Sequence, residues 1–451
     1  MSQLPLKGIR VLDLGTMWAM PLATRQLALL GAEVITIESC QRPNLTRFGT
    51  HAENDPKGNY WNTSGRFNSV CLNKRGITLD LSTDEGREIF KKLVKISDIV
   101  TENFAPRVMK NLGLDYAVLK ELNPGIIMVS SSGFGHTGPW KNYRCYAANL
   151  GALAGYSELT GYAGGAPIKF HGVAADVDAA LHAGLAILTA LEYRRRTGKG
   201  QWIDLSQYET AIQYLGESII DYAVNGRIQA RMGNRSAYMA PQGCYRCRGD
   251  DKWVVIAVSS EAEWISLCQA MGNPSLASDE KFHDVASRRQ NQDELDKLIE
   301  AWTITRDHYE VMYLLQKAGV PAGAVLNAKE LLLDPHLNER GYFHRVTHPK
   351  LEGLEHLGTR IYPGLPWKTS EVSVGPLKPA PTLGQDNEYV LAGLLGMSDE
   401  EINELRQQGI IGNKPEGLAP TAAPLVLPLA QQKEEGIIQE YDENYKEILG
   451  L

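Results

Sequence analysis

The 451-residue sequence is poor in cysteine, and its six cysteines form no disulfide or metal-binding pattern. A disulfide framework needs a higher density of cysteines in a chain of this length. Cys244 and Cys247 have the spacing of half a zinc site, but no second pair and no downstream histidine cluster completes four ligands. We therefore predict reduced thiols in a cytoplasmic protein, no metal site and no permanently bound cofactor.

The sequence also lacks long apolar runs and an excess of basic residues. No stretch of about 18 apolar residues occurs, and the N-terminus has no charged region followed by an apolar one. Lysine and arginine number 46 against 53 acidic residues, for a net charge of -7. Nucleic acids and anionic membranes attract basic surfaces. We therefore expect neither as a partner, although a local basic patch for a phosphate-bearing ligand stays open.

Several common catalytic motifs are missing as well. No phosphate-binding loop and no dinucleotide-binding G-x-G-x-x-G follows the first strand-like run. The sequence has no H-E-x-x-H and no G-x-S-x-G nucleophile elbow. These absences argue against a nucleoside triphosphatase, a nicotinamide enzyme, a zinc protease and a serine hydrolase.

Strand-like and helical runs alternate from residue 8 onward. They lie at 9–14, 21–30, 34–38, 85–96, 99–101, 105–122 and 126–130. Ser82 and Glu85 have the spacing of a capping box before the helix at 85–96. Strands joined by crossover helices predict an α/β fold with a doubly wound, mostly parallel, Rossmann-like sheet.

Changes of pattern divide the chain into four segments. Residues 1–225 carry the alternation of strands and helices, and 226–330 are typical of a smaller α+β domain. Residues 331–412 return to the large domain, which is thus built from N- and C-terminal segments. Residues 413–451 form a proline- and alanine-rich linker and an acidic tail, for which the sequence predicts no role.

The predicted topology indicates where a ligand would bind. In doubly wound sheets, ligands bind in the crevice beyond the carboxyl ends of the strands. The segments in that position include 16–19, Arg42, Asn103 and 132–135. The fold supplies this place but not the chemistry.

Longer sequence blocks carry a family resemblance. In order, they are 7–14, 30–38, 73–75, 79–80, 102–104, 112–114, 132–135, 138–139, 196–201 and 380–385. Over about residues 7–411 this succession resembles the class III CoA-transferases, which include formyl-CoA transferase and the carnitine CoA-transferases and are related to α-methylacyl-CoA racemase. The resemblance implies transfer of CoA from an acyl-CoA donor to a carboxylic acid acceptor. It also implies an interlocked dimer, in which each ring-like protomer threads the other.

Asp176 is the catalytic residue that the resemblance implies, because it lies at the family's distance before the Thr197–Gln201 block. In the family this carboxylate attacks the donor thioester, and a mixed anhydride and then an aspartyl-CoA thioester follow. Such covalent catalysis divides one hard step into easier ones and requires that water be excluded. Without the family, Asp176 has the alternative role of a helix N-cap, and Asp178 lies one step further round the helix.

The resemblance also implies binding residues around this carboxylate. For coenzyme A they are Met17, Arg42, Leu72, Arg75, Asn103 and Arg144, and for the acyl and acceptor groups they are Trp18, Ala19, Tyr146 and Tyr238. Arginine offers phosphate a planar fork and offers adenine a stacking plane. The alternative for Trp18 is a place in the core, and the alternative for each arginine is a solvated surface position.

Three departures from the family pattern bear on the acceptor acid. Trp18–Pro21 replaces a Gln-Ala-Gly-Pro stretch, and the bulkier 236–239 replaces the glycine-rich flap of the oxalate-using enzymes. Ala147, after Tyr146, replaces their active-site glutamate. We therefore expect a bulky, aromatic or dicarboxylic acceptor, with succinyl-CoA as a candidate donor, rather than formate or oxalate.

Two other functions stay open. Racemases of this superfamily pair the aspartate with a histidine as two opposed bases, but Tyr146 stands at the histidine position, and tyrosine is a poor base at neutral pH. A non-catalytic subunit would lack the aspartate, whereas Asp176 is present. A homodimer and a heteromer with a related subunit are both compatible with the sequence.

Overall fold

A computed structural model describes residues 4–54, 56, 58–170, 173–375, 377–416 and 427–451. The chain forms two compact units: a large unit of residues 1–155, 170–217 and 335–451, and a small unit of residues 156–169 and 218–334. These boundaries differ from the predicted domain limits. The small unit includes a separate early segment, 156–169, which nothing in the sequence pattern indicated.

The large unit contains a six-stranded, all-parallel sheet. Its strands are β1 Arg10–Asp13, β2 Glu33–Glu38, β3 Arg75–Thr78, β4 Ile99–Glu102, β5 Ile127–Ser132 and β6 Trp202–Ser206. Their spatial order is β3-β2-β1-β4-β5-β6. The chain thus adds β2 and β3 on one side of β1 and then adds β4, β5 and β6 on the other side. This topology confirms the predicted doubly wound α/β fold. The sequence pattern missed β3, a four-residue strand interrupted by Gly76.

Helices cover both faces of this sheet. The α-helices of the large unit before residue 217 are α1 Ala19–Leu29, α2 Gly65–Val70, α3 Asp84–Lys95, α4 Arg107–Asn111, α5 Tyr116–Leu122, α6 Ala147–Leu153, α8 Ala174–Thr197 and α9 Gln207–Ile212. Helix α7 Tyr156–Leu159 and most of α10 Gly216–Asn225 belong to the small unit. Successive strand residues point to opposite faces. Val11 therefore packs with α1 and α8, whereas Leu12 packs with α3 and α5.

The C-terminal part of the large unit adds core side chains but no strand to the parallel sheet. Val390 and Leu391, in a π-helix at Tyr389–Leu394, pack on the α3 face together with Ile402. A separate antiparallel pair consists of β10 Phe343–Thr347 and β11 Thr359–Pro363. The remaining helices here are α16 Pro335–Glu339, α17 Asp399–Gln407, α18 Leu429–Glu434 and α19 Tyr445–Leu449.

Two local predictions about helices are wrong. The cap of α3 is Thr83, whose hydroxyl accepts from the backbone N–H of Gly86, and not Ser82. The predicted helix at 105–122 is two helices, because Gly113 between them adopts a φ of +65°, which ends α4.

The described part of the acidic tail packs on the large unit. The Tyr445 hydroxyl donates to Glu53 at 2.7 Å, and the Lys446 ammonium lies 2.8 Å from the same carboxylate. Arg345 in β10 donates to the backbone oxygens of Leu449 and Gly450. The tail is thus attached to its own chain by polar contacts.

The small unit has its own antiparallel sheet and core. Its strands are β7 Gln242–Arg246, β8 Trp253–Ala257 and β9 Ala322–Ala324, and its helices include α11 Glu261–Ala270, α12 Val285–Gln290, α13 Gln292–Thr303, α14 His308–Lys317 and α15 Ala328–Leu333. Trp264, Phe282 and Leu295 lie in its core. This arrangement is the smaller α+β domain that the sequence predicts.

Candidate active site

Asp176 lies in the first turn of α8, three residues after the N-cap residue Val173. It is therefore not the cap of this helix, and the capping alternative is wrong. Its carboxylate is half-buried and has no hydrogen-bond donor among the described residues. Burial raises the pKa of Asp176 to about 6, because the charged form loses hydration without gaining a partner.

The loop after β5 approaches this carboxylate through Cys145. The Asp176 charge adds to burial in raising the pKa of the Cys145 thiol, which shows that the two groups interact. Gly133, the first residue after β5, lies directly against that thiol. A Cβ on Gly133 would be 2.0 Å from the Cys145 Sγ, so a side chain at this position would force the thiol to move.

The turn between β1 and α1 is held by two asparagines. Asn103 accepts from the Thr16 backbone N–H at 2.7 Å and donates to the Thr16 backbone oxygen at 2.8 Å. Asn44 accepts from the Met17 backbone N–H at 3.2 Å, and Met17 itself has a φ of +61°. The structure thus brings Thr16, Met17 and Asn103 together at the carboxyl edge of the sheet. Both functional atoms of the Asn103 amide are used to shape the turn.

Trp18 and Ala19 follow in the same turn. The Trp18 ring packs against the buried residues Phe67, Val70 and Cys71, and Ala19 is fully buried in the α1 and α8 core. Trp18 therefore lies at least partly in the core, which was the alternative to a contact with substrate. The predicted contacts of Trp18 and Ala19 with substrate stay predictions.

A buried polar network, which the sequence analysis did not predict, supports this turn. Asp13, at the end of β1, is fully buried and accepts from Thr101 and from the Gly15 backbone through one oxygen. Its other oxygen accepts from Thr24 at 2.7 Å and from the Lys74 ammonium at 3.0 Å. Lys74 also donates to the Pro21 backbone oxygen, so the network ties β1 to the start of α1. An acidic residue at the end of an apolar strand was the available signal.

A second buried ion pair holds the segment after β2. Arg47 donates to both carboxylate oxygens of Glu38, at 2.7 and 2.9 Å, and stacks over Phe67. The Glu38 carboxylate also accepts from the Asn44 backbone N–H, which orients the asparagine that contacts Met17. Arg42 lies in this segment with an exposed side chain. Its position fits a surface cation beside the carboxyl edge.

Two of the remaining predicted residues, Arg75 and Leu72, are held in contacts with the protein itself. Arg75 is the first residue of β3 and therefore lies at the amino end of that strand, where it pairs with Glu33 and Asp386. Leu72 is a core residue. Arg144 and Tyr146 are exposed in the segment before α6, and Tyr238 is exposed in the small unit. The binding roles of these residues stay predictions.

One further cluster at the carboxyl edge was not expected. Glu102, at the end of β4, is buried, and its pKa is raised to about 7 by burial. Its Oε1 lies 4.0 Å from the His136 Nε2, and neither atom has a hydrogen-bond partner among the described residues. The His136 backbone N–H donates to Asp204, which anchors the loop after β5 to β6. A glutamate directly after an apolar strand was the signal in the sequence.

Comparison with known proteins gives this site its context. A family model described as CoA-transferase family III matches residues 6–387. The succinyl-CoA–D-citramalate CoA-transferase of Chloroflexus aurantiacus is 35% identical over 410 residues, covering 90% of this chain and 98% of that protein. The alpha subunit of a succinyl-CoA–L-malate CoA-transferase of Chloroflexus aurantiacus is 36% identical, covering 91% and 93%.

A solved structure agrees with these relatives. A CAIB/BAIF family protein from Brucella suis superposes with a TM-score of 0.77 at 30% identity, covering 87% of this chain and 100% of that one. The fold, the order of the sequence blocks and the family model, which spans most of the chain, lead to one conclusion. The chain belongs to CoA-transferase family III and is an enzyme that transfers coenzyme A.

Proposed function

We propose that this enzyme transfers CoA from succinyl-CoA to a dicarboxylic acid and that Asp176 is the nucleophile. One observation supports the role of Asp176: a half-buried carboxylate, with no hydrogen-bond donor among the described residues, lies in the first turn of α8, next to the loop after β5. A carboxylate that has lost hydration is a stronger base than one in water. With a pKa of about 6 it is nevertheless mostly ionised at neutral pH.

The reaction follows as four acyl substitutions. The Asp176 carboxylate attacks the thioester carbonyl of the donor, and CoA leaves as a thiolate, which gives a mixed anhydride. The thiolate then attacks the Asp176 acyl carbon, releases the donor acid as its carboxylate and forms an aspartyl-CoA thioester. The acceptor carboxylate displaces CoA from Asp176, and the thiolate finally attacks the acceptor carbonyl and frees Asp176. No net proton transfer is required.

Each substitution passes through an oxyanion, which backbone N–H groups stabilise well. In the turn, the N–H groups of Thr16 and Met17 donate to the two asparagines, which leaves those of Trp18 and Ala19 for an oxyanion. The glycine-rich loop 133–135 offers further N–H groups at the carboxyl edge of the sheet. The two asparagines that hold the turn would preorganise it for this purpose. Because Gly133 has no side chain, the loop 133–135 would be able to approach the reacting groups closely.

The relatives support the choice of donor and acceptor. Two transferases about 35% identical to this chain are named for succinyl-CoA and for D-citramalate or L-malate. The two acids each carry two carboxyl groups, and succinyl-CoA is the thioester of another dicarboxylic acid. The bulky residues Trp18 and Tyr238 led to the same expectation from the sequence. We infer an acceptor of the hydroxylated or branched dicarboxylic class.

We also infer a dimer or a heteromer as the working state. The outer face of α8 exposes four apolar side chains at helical spacing: Val177, Leu181, Leu185 and Leu188. Contiguous exposed apolar surface of this kind is typical of a protein interface. The relative named as an alpha subunit supports the heteromeric alternative.

Covalent trapping tests the proposal. The purified protein is incubated with succinyl-CoA, treated with hydroxylamine and analysed by peptide mass spectrometry, together with Asp176→Ala and Asp178→Asn. We expect a hydroxamate at residue 176 in the wild type and in Asp178→Asn, because Tyr214 can still donate to the asparagine carbonyl. A labelled Asp176→Ala protein, or no label with any acyl-CoA donor that binds, would refute the nucleophile. Proton exchange at the α-carbon in deuterated water would then test the racemase alternative.

A further inference from the structure

A cavity of about 390 Å³ borders the loop after β5, and the reaction proposed above uses the backbone of this loop but none of the side chains that line the cavity. Three aromatic side chains line it: Phe134 and Trp140 from the loop, and Tyr208 from α9. Two carboxylates, Asp204 and Glu209, complete the wall. The combination of aromatic faces and acidic groups limits the chemistry of a ligand that would fit.

The three rings form a corner rather than a flat stack. The Phe134 and Trp140 centroids are 6.0 Å apart with planes at 84°, and Tyr208 lies 5.7 Å from Phe134 at 54° and 6.1 Å from Trp140 at 53°. Tyr143 stacks on Trp140 at 5.9 Å and 13°, which fixes the orientation of the indole. Inclined ring faces present their negative quadrupoles from several directions.

The negative charge of this cavity is not neutralised by the protein. Among the described residues, no lysine or arginine nitrogen lies within 4.0 Å of the Asp204 or Glu209 carboxylates, nor does a cation lie over the three rings. Asp204 accepts the His136 backbone N–H through both oxygens, at 3.0 and 3.1 Å, and its charge partly offsets the lowering of the His136 pKa by burial. A ligand that carries positive charge would satisfy both sets of groups.

We propose that this cavity binds a small organic cation of the alkylammonium or quaternary ammonium class. Methyl groups around a quaternary nitrogen pack on aromatic faces, while the charge is stabilised by the ring quadrupoles and by the two carboxylates. A divalent metal ion fits less well, because it needs six or more oxygen ligands and no cluster of three metal-binding side chains occurs in the described residues. A neutral apolar ligand would contact the rings but would gain no attraction from the exposed residues Asp204 and Glu209.

Calorimetric titration of the full-length enzyme with choline tests this site. We expect one saturable site per chain. Its affinity should fall about tenfold in Trp140→Leu and in Glu209→Gln, since each variant removes one source of attraction for the cation. Trp367→Leu is the matched control, because Trp367 is exposed to 45% against 40% for Trp140 and lies in another part of the large unit. It should bind choline like the wild type.

The neutral isostere 3,3-dimethylbutanol separates charge recognition from simple apolar binding. Equal affinity for this alcohol and for choline would overturn the proposal, as would choline binding that neither variant weakens or that is absent at millimolar concentrations. The same titration with Asp176→Ala keeps the result independent of CoA transfer, because that variant should bind choline normally. Circular dichroism confirms that each variant is folded.

Discussion

At the scale of single residues, the protonation state of Asp176 would decide the first chemical step of the proposed reaction. Burial alone raises its pKa to about 6, compared with 3.8 for an ordinary aspartate. The protonated acid is a poor nucleophile, so activity requires a pH above this value. An aspartate that accepts hydrogen bonds would instead have a lowered pKa and would be a weaker nucleophile.

We predict that the rate of covalent labelling by succinyl-CoA falls about tenfold per pH unit below pH 6 and is constant above about pH 7. An unperturbed aspartate would keep its labelling rate down to about pH 4. Quenched-flow labelling between pH 4.5 and 8 measures this profile. CoA binding at each pH serves as the control, and a rate that stays flat down to pH 4.5 would contradict the prediction.

Lys74 is a second residue whose charge we expect to matter, in this case for the free energy of unfolding. Its ammonium and the Asp13 carboxylate are both fully buried and 3.0 Å apart. Removal of one partner leaves an uncompensated charge in the core, which typically costs about 3–5 kcal/mol.

We therefore expect Lys74→Met to lower the free energy of unfolding by about 3–5 kcal/mol in denaturant titration. Lys91→Met is the control, because Lys91 forms only a surface pair with Glu88 and should lose less than about 0.5 kcal/mol. A similar small loss in both variants would show that the buried pair does not hold the turn.

At the scale of secondary-structure elements, the site depends on how the loop after β5 packs against the segment before α6. The contact is between Gly133 and Cys145, and it leaves no room for a side chain at position 133. Because Cys145 also interacts with Asp176, a shift of this loop would reach the nucleophile.

We predict that Gly133→Ala reduces covalent labelling of Asp176 by at least tenfold and that Cys145→Ala in the same chain restores most of it. The double variant removes the sulfur atom and leaves the position 145 Cβ at 3.6 Å from the new methyl group, an ordinary contact. Labelling kinetics of the four proteins in this cycle measure the effect. No rescue in the double variant would mean that the glycine serves another purpose, such as approach of the substrate.

At the scale of the whole molecule, helix α8 has two different faces. Ala179, Ala183 and Ile187 are buried against the sheet, whereas Leu181 and Leu185 are exposed. By length and composition this helix is apolar enough to cross a membrane, yet one face belongs to the core of the large unit. We expect the surface of a second protein chain to cover the other face.

We predict that Leu181→Glu with Leu185→Glu converts the enzyme to a smaller species in sedimentation velocity, because two charges would be desolvated in the interface. Leu351→Glu, which alters a leucine exposed to a similar degree elsewhere, is the control. A wild-type protein that sediments as a monomer, or a variant that sediments like the wild type, would contradict the interface.

The parallel sheet was predictable because its signal is local. Apolar strands such as β2 and β5 are buried on both faces, so their residues form continuous runs between helical segments. The short β3 escaped detection because four residues with a glycine carry too little pattern. The family blocks likewise located Asp176, since its distance to the later Thr197–Gln201 block is a property of the chain alone.

Only the tertiary structure decided the surroundings of these residues. Asp13 and Lys74 lie 61 positions apart in the sequence, and their pairing follows from the order of strands in the sheet. The ion pair of Arg75 with Asp386 also depends on contacts between distant segments. The same is true of the core position of Leu72 and of the aromatic rings around Trp140. The sequence by itself determined the fold class and led to the proposal of Asp176 as the nucleophile, because both depend on local pattern and spacing. The environment that sets the pKa of Asp176 depends on burial, which exists only once the chain has folded.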